Sequence, residues 1–321
     1  MTSSEAAENS AGWADRSQRI RLRFEGKDRA RSLHNLTTQD INNLKSGQTR
    51  EAFVTSHQGK TLAFATISAH DDFLLMRTER ACWDSLKPHL TKYLMLDNTE
   101  FSDVSDSTFE FHVLGPQAPT TAASLGVILP QNEDDHLSAA IADRPVTVIR
   151  ESPTGRPGWT IVGLIEDRDA VASALAGAGL VAIDDATFEF LRVEAGTPAS
   201  GIDVLPENLP QEFHRDSRAI HFRKGCYLGQ ETVARLDALG HVNKILRGLT
   251  IESAQPPAPG SVLKHEDKPA GVALSVAASP ESGRVVALAM IRVKLADPGT
   301  RLTWDGGEGF AEVHELPMRR A

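Results

Sequence analysis

The sequence predicts an α+β protein with more than one domain and a β-rich C-terminal unit. Three observations carry this. The 321 residues, 40% hydrophobic and 24% charged, are those of a folded protein with room for two or three domains. Segments of period-two apolar alternation are interspersed with segments of helical spacing. From Gln255 the composition changes: Gln-Pro-Pro-Ala-Pro-Gly is followed by short β-rich runs separated by Gly, Pro and Asp, the pattern of a small barrel or sandwich.

In chain order, Ile20–Phe24 alternates as a strand, and Asp28 can cap a helix through Ala30, Leu33 and Leu36. Glu51–Ser56 and Thr61–Ser68 read as strands joined by the turn His57-Gln58-Gly59-Lys60. Phe73–Thr78 reads as a strand and Glu79–Leu96 as a helix. A second α/β unit spans about 109–183. It has strands at Phe109–Leu114, Val146–Arg150 and Thr160–Leu164 and helices at Pro116–Leu125 and Arg168–Ala178. No polar cluster in this middle region suggests chemistry. Asp184 or Asp185 can cap a helix from about Ala186 to Glu194, ended by Ala195-Gly196. The tail contains β-runs at Ser261–Lys264, Ala270–Ala277, Val285–Ile291 and Arg301–Trp304.

Composition excludes several classes. No run approaches the roughly 18 apolar residues that span a membrane. Met1–Asp15 lacks the basic start and apolar core of a secretory signal and is too acidic for a transit peptide, so residues 1–18 are expected to be a disordered tail. A net charge of −9 disfavours broad wrapping by nucleic acid, though a local basic patch remains open. Two cysteines, Cys82 and Cys226, give neither a disulfide framework nor CxxC metal spacing, and point to a reducing cytoplasm.

The informative string is Lys224-Gly225-Cys226-Tyr227-Leu228-Gly229-Gln230-Glu231. The thiolate is the reactive form of cysteine. Residues 214–224 hold Arg215, Arg218, Arg223 and Lys224 with His214 and His221, against the single acid Asp216. Positive charge beside Cys226 favours its thiolate. Gly225 and Gly229 frame the cysteine with permissive backbone, and Gln230 and Glu231 can open a helix through Val233, Leu236 and Leu239. The competing reading is a small buried apolar cysteine at a corner. Cys82, in a helical pattern beside Trp83, reads as core.

The string resembles the signature of the YgfZ family, Lys-Gly-Cys-aromatic-any-Gly-Gln-Glu, with each fixed position present. Further stretches resemble the same family: His34-Asn35-Leu36-Thr37-Thr38-Gln39-Asp40, Gly59-Lys60-Thr61-Leu62, Arg192-Val193-Glu194-Ala195-Gly196, Gly201-Ile202-Asp203 and Asn208-Leu209-Pro210-Gln211-Glu212. The resemblance implies α/β folate-binding domains around a central cavity, as in the glycine-cleavage aminomethyltransferase and the N-terminal domain of TrmE, followed by a β-barrel. It divides the chain into a discontinuous folate-binding domain (19–108 plus 184–243), a second α/β domain (109–183) and a barrel (244–321).

The resemblance also implies site roles. Glu194 matches the glutamate that holds the pterin in the transferase, and at a helix C-terminus an acid breaks a local electrostatic rule, which marks it for function. Its alternative is a solvated or Arg192-paired glutamate. Cys226 and Lys224 form the expected reactive pair. Glu194, Tyr227, Gln230 and Arg235 are expected at the cofactor, tetrahydrofolate or a one-carbon derivative. Gly225, Gly229 and Glu231 complete the motif. The transferase carries an Asp pair where this chain has Ala63 and Phe64, so the transfer chemistry is expected to be lost. The leading expectation is a folate-binding accessory of iron–sulfur cluster assembly or repair, and through it of tRNA modification. Its partners would be folate and iron–sulfur clients or assembly proteins, with tRNA contact left open and no membrane. The alternatives are an aminomethyltransferase and an RNA-contacting factor using residues 214–224.

Overall fold

A computed structural model describes residues 1–95 and 97–318. The first half contains α1 (Ser3–Asn9), β1 (Gly12–Asp15), β2 (Ile20–Glu25), α2 (Arg29–Leu36), β3 (Thr49–Thr55), β4 (Thr61–Ala69), β5 (Leu74–Thr78), α3 (Trp83–Leu94) and β6 (Glu100–Asp103). Then come β7 (Thr108–Leu114), α4 (Ala118–Ser124), β8 (His136–Ile141), β9 (Arg144–Ile149), β10 (Gly158–Leu164), α5 (Arg168–Gly177), β11 (Val181–Ala182), α6 (Asp185–Ala195), α7 (Asp216–Ala219) and α8 (Gln230–Leu239). The last part contains β12 (Lys244–Ser253), β13 (Val262–His265), β14 (Lys268–Ala278), β15 (Val285–Arg292), β16 (Arg301–Trp304) and β17 (Gly309–His314).

These strands make a five-stranded sheet β3-β4-β5-β2-β6, a six-stranded sheet β11-β1-β7-β10-β9-β8 and a closed barrel β12-β15-β14-β13-β16-β17. The α+β class with a C-terminal barrel is therefore observed. The first sheet buries Leu22, Phe24, Val54 and Met76 against Leu33 of α2 and Leu86 and Leu90 of α3. The second buries Phe109, Phe111 and Trp159 with Leu175 of α5. The barrel encloses Leu249, Leu263, Ala289 and Leu302. A fourth cluster joins the three, with Phe53, Phe64, Phe188, Phe213, Leu246 and Met290 at the junction. Cores of this kind form because each sheet leaves one apolar face to cover. Among the described residues no helix is long and apolar enough to cross a membrane.

The N-terminus corrects an expectation. It is not a disordered tail. Thr2 caps α1 in a reciprocal box with Glu5, and Ala6, Ala7, Ala11 and Ala14 are buried. β1 pairs antiparallel to β7 and parallel to β11, so this segment completes the middle sheet. Alanines carry little hydrophobic signal each, and the alternation is only four residues long, which is why composition misread it. The strands β8, β12 and β17 were also not anticipated.

Candidate functional site around a central cavity

The segment carrying Cys226 is held by glycine chemistry. Gly229 has φ +83°, and a Cβ there would come within 2.4 Å of Ser56 O and 2.6 Å of Gly59 Cα. Gly59, in the β3–β4 turn with φ +75°, faces it. Only two glycines allow this approach. Leu228 N donates to Asn35 O at 2.8 Å, and Thr55 Oγ1 donates to Leu228 O at 2.7 Å. The corner thus docks on α2 and the β3–β4 turn, and α8 starts at Gln230. Gly225 is different: a Cβ would meet only His34 Nε2, at 3.8 Å.

Cys226 is exposed, so the buried-apolar alternative does not describe it, whereas Cys82 sits in the core with its thiol pushed up to about 11 by burial. Lys224 is buried, and Nζ donates to the carbonyls of His34 (2.6 Å), Thr37 (2.6 Å) and Gln39 (2.7 Å). These three bonds use all three ammonium protons and satisfy carbonyls at the end of α2. Burial, opposed by Asp40, brings the Lys224 amine down to about 7. The expected tuning of the thiol by Lys224 therefore has no direct hydrogen bond behind it. Nζ also lies 4.6 Å over the ring of Tyr227, a half-buried phenol that burial pushes up. Arg235 and Glu231 are exposed on α8.

The cationic stretch also behaves differently from expectation. Arg215 forms a two-pronged pair with Glu51, its Nε donating at 2.8 Å. Arg218 binds Asp134 at 2.8 and 3.0 Å and lies 3.2 Å from Glu51. Burial raises Asp134 to about 6 despite Arg218. Both arginines look toward a central cavity between the two sheets rather than toward the thiol. Sequence reading counted charges along the chain, whereas β3 and the loop before β8 supply the partners.

Glu194 lies at the C-terminal end of α6, which Asp184 caps through Thr187 N at 2.7 Å and Gly196 ends in left-handed backbone. Arg192 does not pair with it. That guanidinium turns to Asp203 at 2.8 Å and to Glu189. Glu194 instead pairs with Arg156, at 3.2 Å, and with Arg284 of the barrel. Two cations offset the unfavourable dipole of the helix end. Glu194 lines an outer cavity of about 520 Å³ with Thr197, Arg156, Arg215, Arg218 and Met318. Cys226, Tyr227, Gln230 and Arg235 are not among its lining residues. The structure therefore separates the thiol corner from the carboxylate that the motif reading placed beside it, because the glycine pair anchors the corner to the β3–β4 turn while α6 faces the barrel.

Arg215, Arg218, Ser152 and Thr197 are shared with a narrow inner cavity of about 80 Å³. Phe64 and Phe188 form apolar parts of its wall, with Arg215 5.4 Å over Phe64 and Arg16 4.2 Å over Phe188. Ala63 is buried in the core of the first sheet. The inner wall carries a network that the sequence reading missed in its middle region. Arg77 donates to both oxygens of Glu151 (2.9 and 2.7 Å) and to Glu110 (3.2 Å), and Arg19 donates to Glu110 at 2.7 Å. Burial opposes its charge, yet Arg77 holds Glu151 down at about 2. The available signal was the alternation Phe109-Glu110-Phe111-His112-Val113, which puts two titratable groups on one strand face.

A family model described as the GCVT N-terminal domain matches residues 2–224. The chain belongs to the GCVT N-terminal domain family. The chain is similar to a putative chloroplastic transferase of Arabidopsis thaliana, 27% identical over 98% of this chain and 72% of that protein. The tRNA-modifying protein YgfZ of Sodalis glossinidius is 26% identical over 91% of this chain and 88% of that protein. The structure of the glycine cleavage system aminomethyltransferase T from Bartonella henselae superposes with a TM-score of 0.86 at 21% identity, covering 99% of this chain and 88% of that one. The GCVT fold thus extends through the barrel, beyond the residues the family model matches.

Proposed function

We propose that this protein binds tetrahydrofolate or a one-carbon derivative in its central cavity and serves as an accessory factor in iron–sulfur cluster assembly or repair, and through it in tRNA modification. The observation that carries the reading is the cavity without a transfer acid. Phe64 stands on its wall at one of the two acid positions, and Ala63, at the other, is core. The carboxylates that do line it, among them Glu51, Asp134 and Glu151, are each bound to arginine. A wall whose phenylalanines offer no ionisable proton, and whose carboxylates are taken up by arginines, favours binding over methylene transfer.

The residues fit the cofactor. The Glu194 carboxylate can accept two hydrogen bonds from a pterin's amino and ring N–H groups once Arg156 or Arg284 yields. Arg215 and Arg218 supply guanidinium groups for folate's carboxylates. Phe64 and Phe188 give aromatic walls. The likeness to a relative named as tRNA-modifying supports the accessory role, and the exposed Cys226 supplies a thiol for it. One thiolate cannot hold a cluster that takes four, so Cys226 acts as a bridging, redox or transient ligand. Lys224 holds the corner that presents it and lies over the ring of Tyr227. Arg215 and Arg218 are engaged in ion pairs at the cavity, which weighs against the RNA-contacting reading as far as it rests on these two residues.

Complementation of a strain lacking its own copy tests this. The wild-type chain restores iron–sulfur enzyme activity and the Cys226→Ser variant does not. Full restoration by Cys226→Ser would refute the role of the thiol. Methylene transfer from an aminomethylated lipoyl carrier at the rate of a genuine aminomethyltransferase would establish the transferase reading instead.

A further inference from the structure

The corner that carries Cys226 has a buried histidine packed beneath it. His34, near the end of α2, is 6% exposed. Its Nδ1 lies 3.2 Å from Asp40 Oδ1, and the Asn42 N–H approaches the same atom at 3.4 Å. The carboxylate is charged and closer and only accepts, so it sets the ring proton on Nδ1. Asp40 is itself fixed by Asn43, whose side-chain amide donates to Oδ2 at 2.7 Å and whose backbone N–H donates to Oδ1 at 3.3 Å. Nε2 is then the lone-pair side of a neutral imidazole. Burial and the Lys224 ammonium bring His34 below its ordinary value despite Asp40, so the ring is a base in its unprotonated form at neutral pH.

The ring makes its hydrogen bonds at Nδ1, and Nε2 has no hydrogen-bond partner among the described residues. Nε2 faces Gly225: a Cβ there would lie 3.8 Å from it and meet nothing else within 4 Å. Gly225 is exposed, and the next residue is the exposed Cys226. A buried ring thus points its one unengaged atom at open backbone beside the thiol. Lys224 does not fill this part, because the carbonyls of His34, Thr37 and Gln39 take its three ammonium protons. Those bonds instead tie the segment with the thiol to the end of α2 with the histidine. Three titratable groups act on the ring: Lys224 and His221 from the segment before Cys226, and Asp40 from the loop after α2.

We propose that His34 is the proton acceptor that makes Cys226 a nucleophile for thiol–disulfide exchange with a partner protein, with Asp40 as the positioning residue that fixes the imidazole. This rests on the reading of Cys226 as a working thiol and deepens it by choosing the redox role over the bridging and ligand roles. A metal ion strips a thiol of its proton unaided, so a ligand has no need of a resident base, whereas attack on a disulfide does. The Cys226 Sγ–H bond breaks and its proton passes to Nε2, while the Nδ1–H stays on Asp40. The sulfur's electron pair forms a new S–S bond to one sulfur of the partner's disulfide as the old S–S bond breaks. The departing sulfur keeps the pair of the broken bond, takes the proton from Nε2 and leaves as a thiol. The partner's disulfide is the oxidant, and Cys226 ends in a mixed disulfide.

The test is the rate of exchange with dithiodipyridine, a neutral disulfide whose released thiol absorbs light, measured from about pH 7 to about pH 10. Cys82 is buried, and Cys226→Ser reports its share. An ordinary thiol is only a few per cent ionised at about pH 7 and almost wholly ionised at about pH 10, where it needs no base. His34→Gln therefore slows exchange about tenfold at the lower pH and leaves the rate at the upper pH within about twofold of wild type. Asp40→Asn, which keeps the ring, slows it about threefold at the lower pH and converges in the same way. An unchanged rate in His34→Gln at neutral pH would overturn the proposal. So would a loss of equal size at every pH, which is what a merely disturbed corner gives. Complementation separates this from the reading beneath it. If Cys226→Ser fails to restore iron–sulfur enzyme activity while His34→Gln exchanges like wild type, the histidine's role falls and that of the thiol stands. Full restoration by Cys226→Ser would overturn both.

Discussion

Gly229 and Gly225 look equivalent in the motif but do different work. Gly229 needs left-handed backbone and faces Ser56 and Gly59 at distances no side chain tolerates. Gly229→Ala is therefore expected to destabilise the protein by about 2–4 kcal/mol in urea unfolding. Gly225→Ala changes stability by no more than about 0.5 kcal/mol, because a Cβ there meets only His34 Nε2, at 3.8 Å. Equal effects would contradict this assignment. Lys224→Met leaves three carbonyls at the end of α2 without their ammonium and costs about 2–4 kcal/mol, whereas an ordinary surface lysine would cost almost nothing.

At the scale of elements, α1 and β1 are the instructive case. Ser10 O accepts from Gln117 N at 2.9 Å, and Ala6 and Ala7 are fully buried, so the N-terminal segment is part of the middle sheet's packing. Deleting residues 1–11 lowers Tm by about 3–6 °C, measured by calorimetry; an unchanged Tm would mean that the segment contributes nothing. Elements with dense periodic patterns were legible from sequence: β2, β4, α5, α6 and the start of α8 all fall close to their expected positions. Short or small-residue elements were not, because β1 and β8 carry few large apolar side chains. The cavity wall on β7 was legible as a strand yet not as a site. Its partners Arg19, Arg77, Glu151 and Thr160 come from four separate places in the chain, and single-sequence reading does not bring such residues together.

For the whole molecule, burial makes the fold acid-sensitive. Burial brings His112 and His136 down to about 4, and both lie almost wholly out of solvent. The unfolded chain binds protons on these rings below about pH 6.5, and the folded chain does not until about pH 4. Stability is therefore full above pH 6.5 and falls through this window as the pH is lowered. The loss is on the order of 1–2 kcal/mol per ring by pH 5. Urea midpoints measured from pH 7 to pH 5 check the sign, and a midpoint that rises on acidification would contradict it. Of the two rings only His112 borders the cavity; His136 packs against His70 and Thr49, where β8 meets the first sheet.

The proposed function depends on Glu194 and its cavity holding a pteridine. Calorimetric titration of tetrahydrofolate into the wild-type chain and Glu194→Gln is the most direct measure. Saturable binding by the wild type, weakened tenfold or more in the variant, is the predicted result. Equal affinity in the two would contradict the assignment of Glu194, and no binding by either would contradict the folate reading itself.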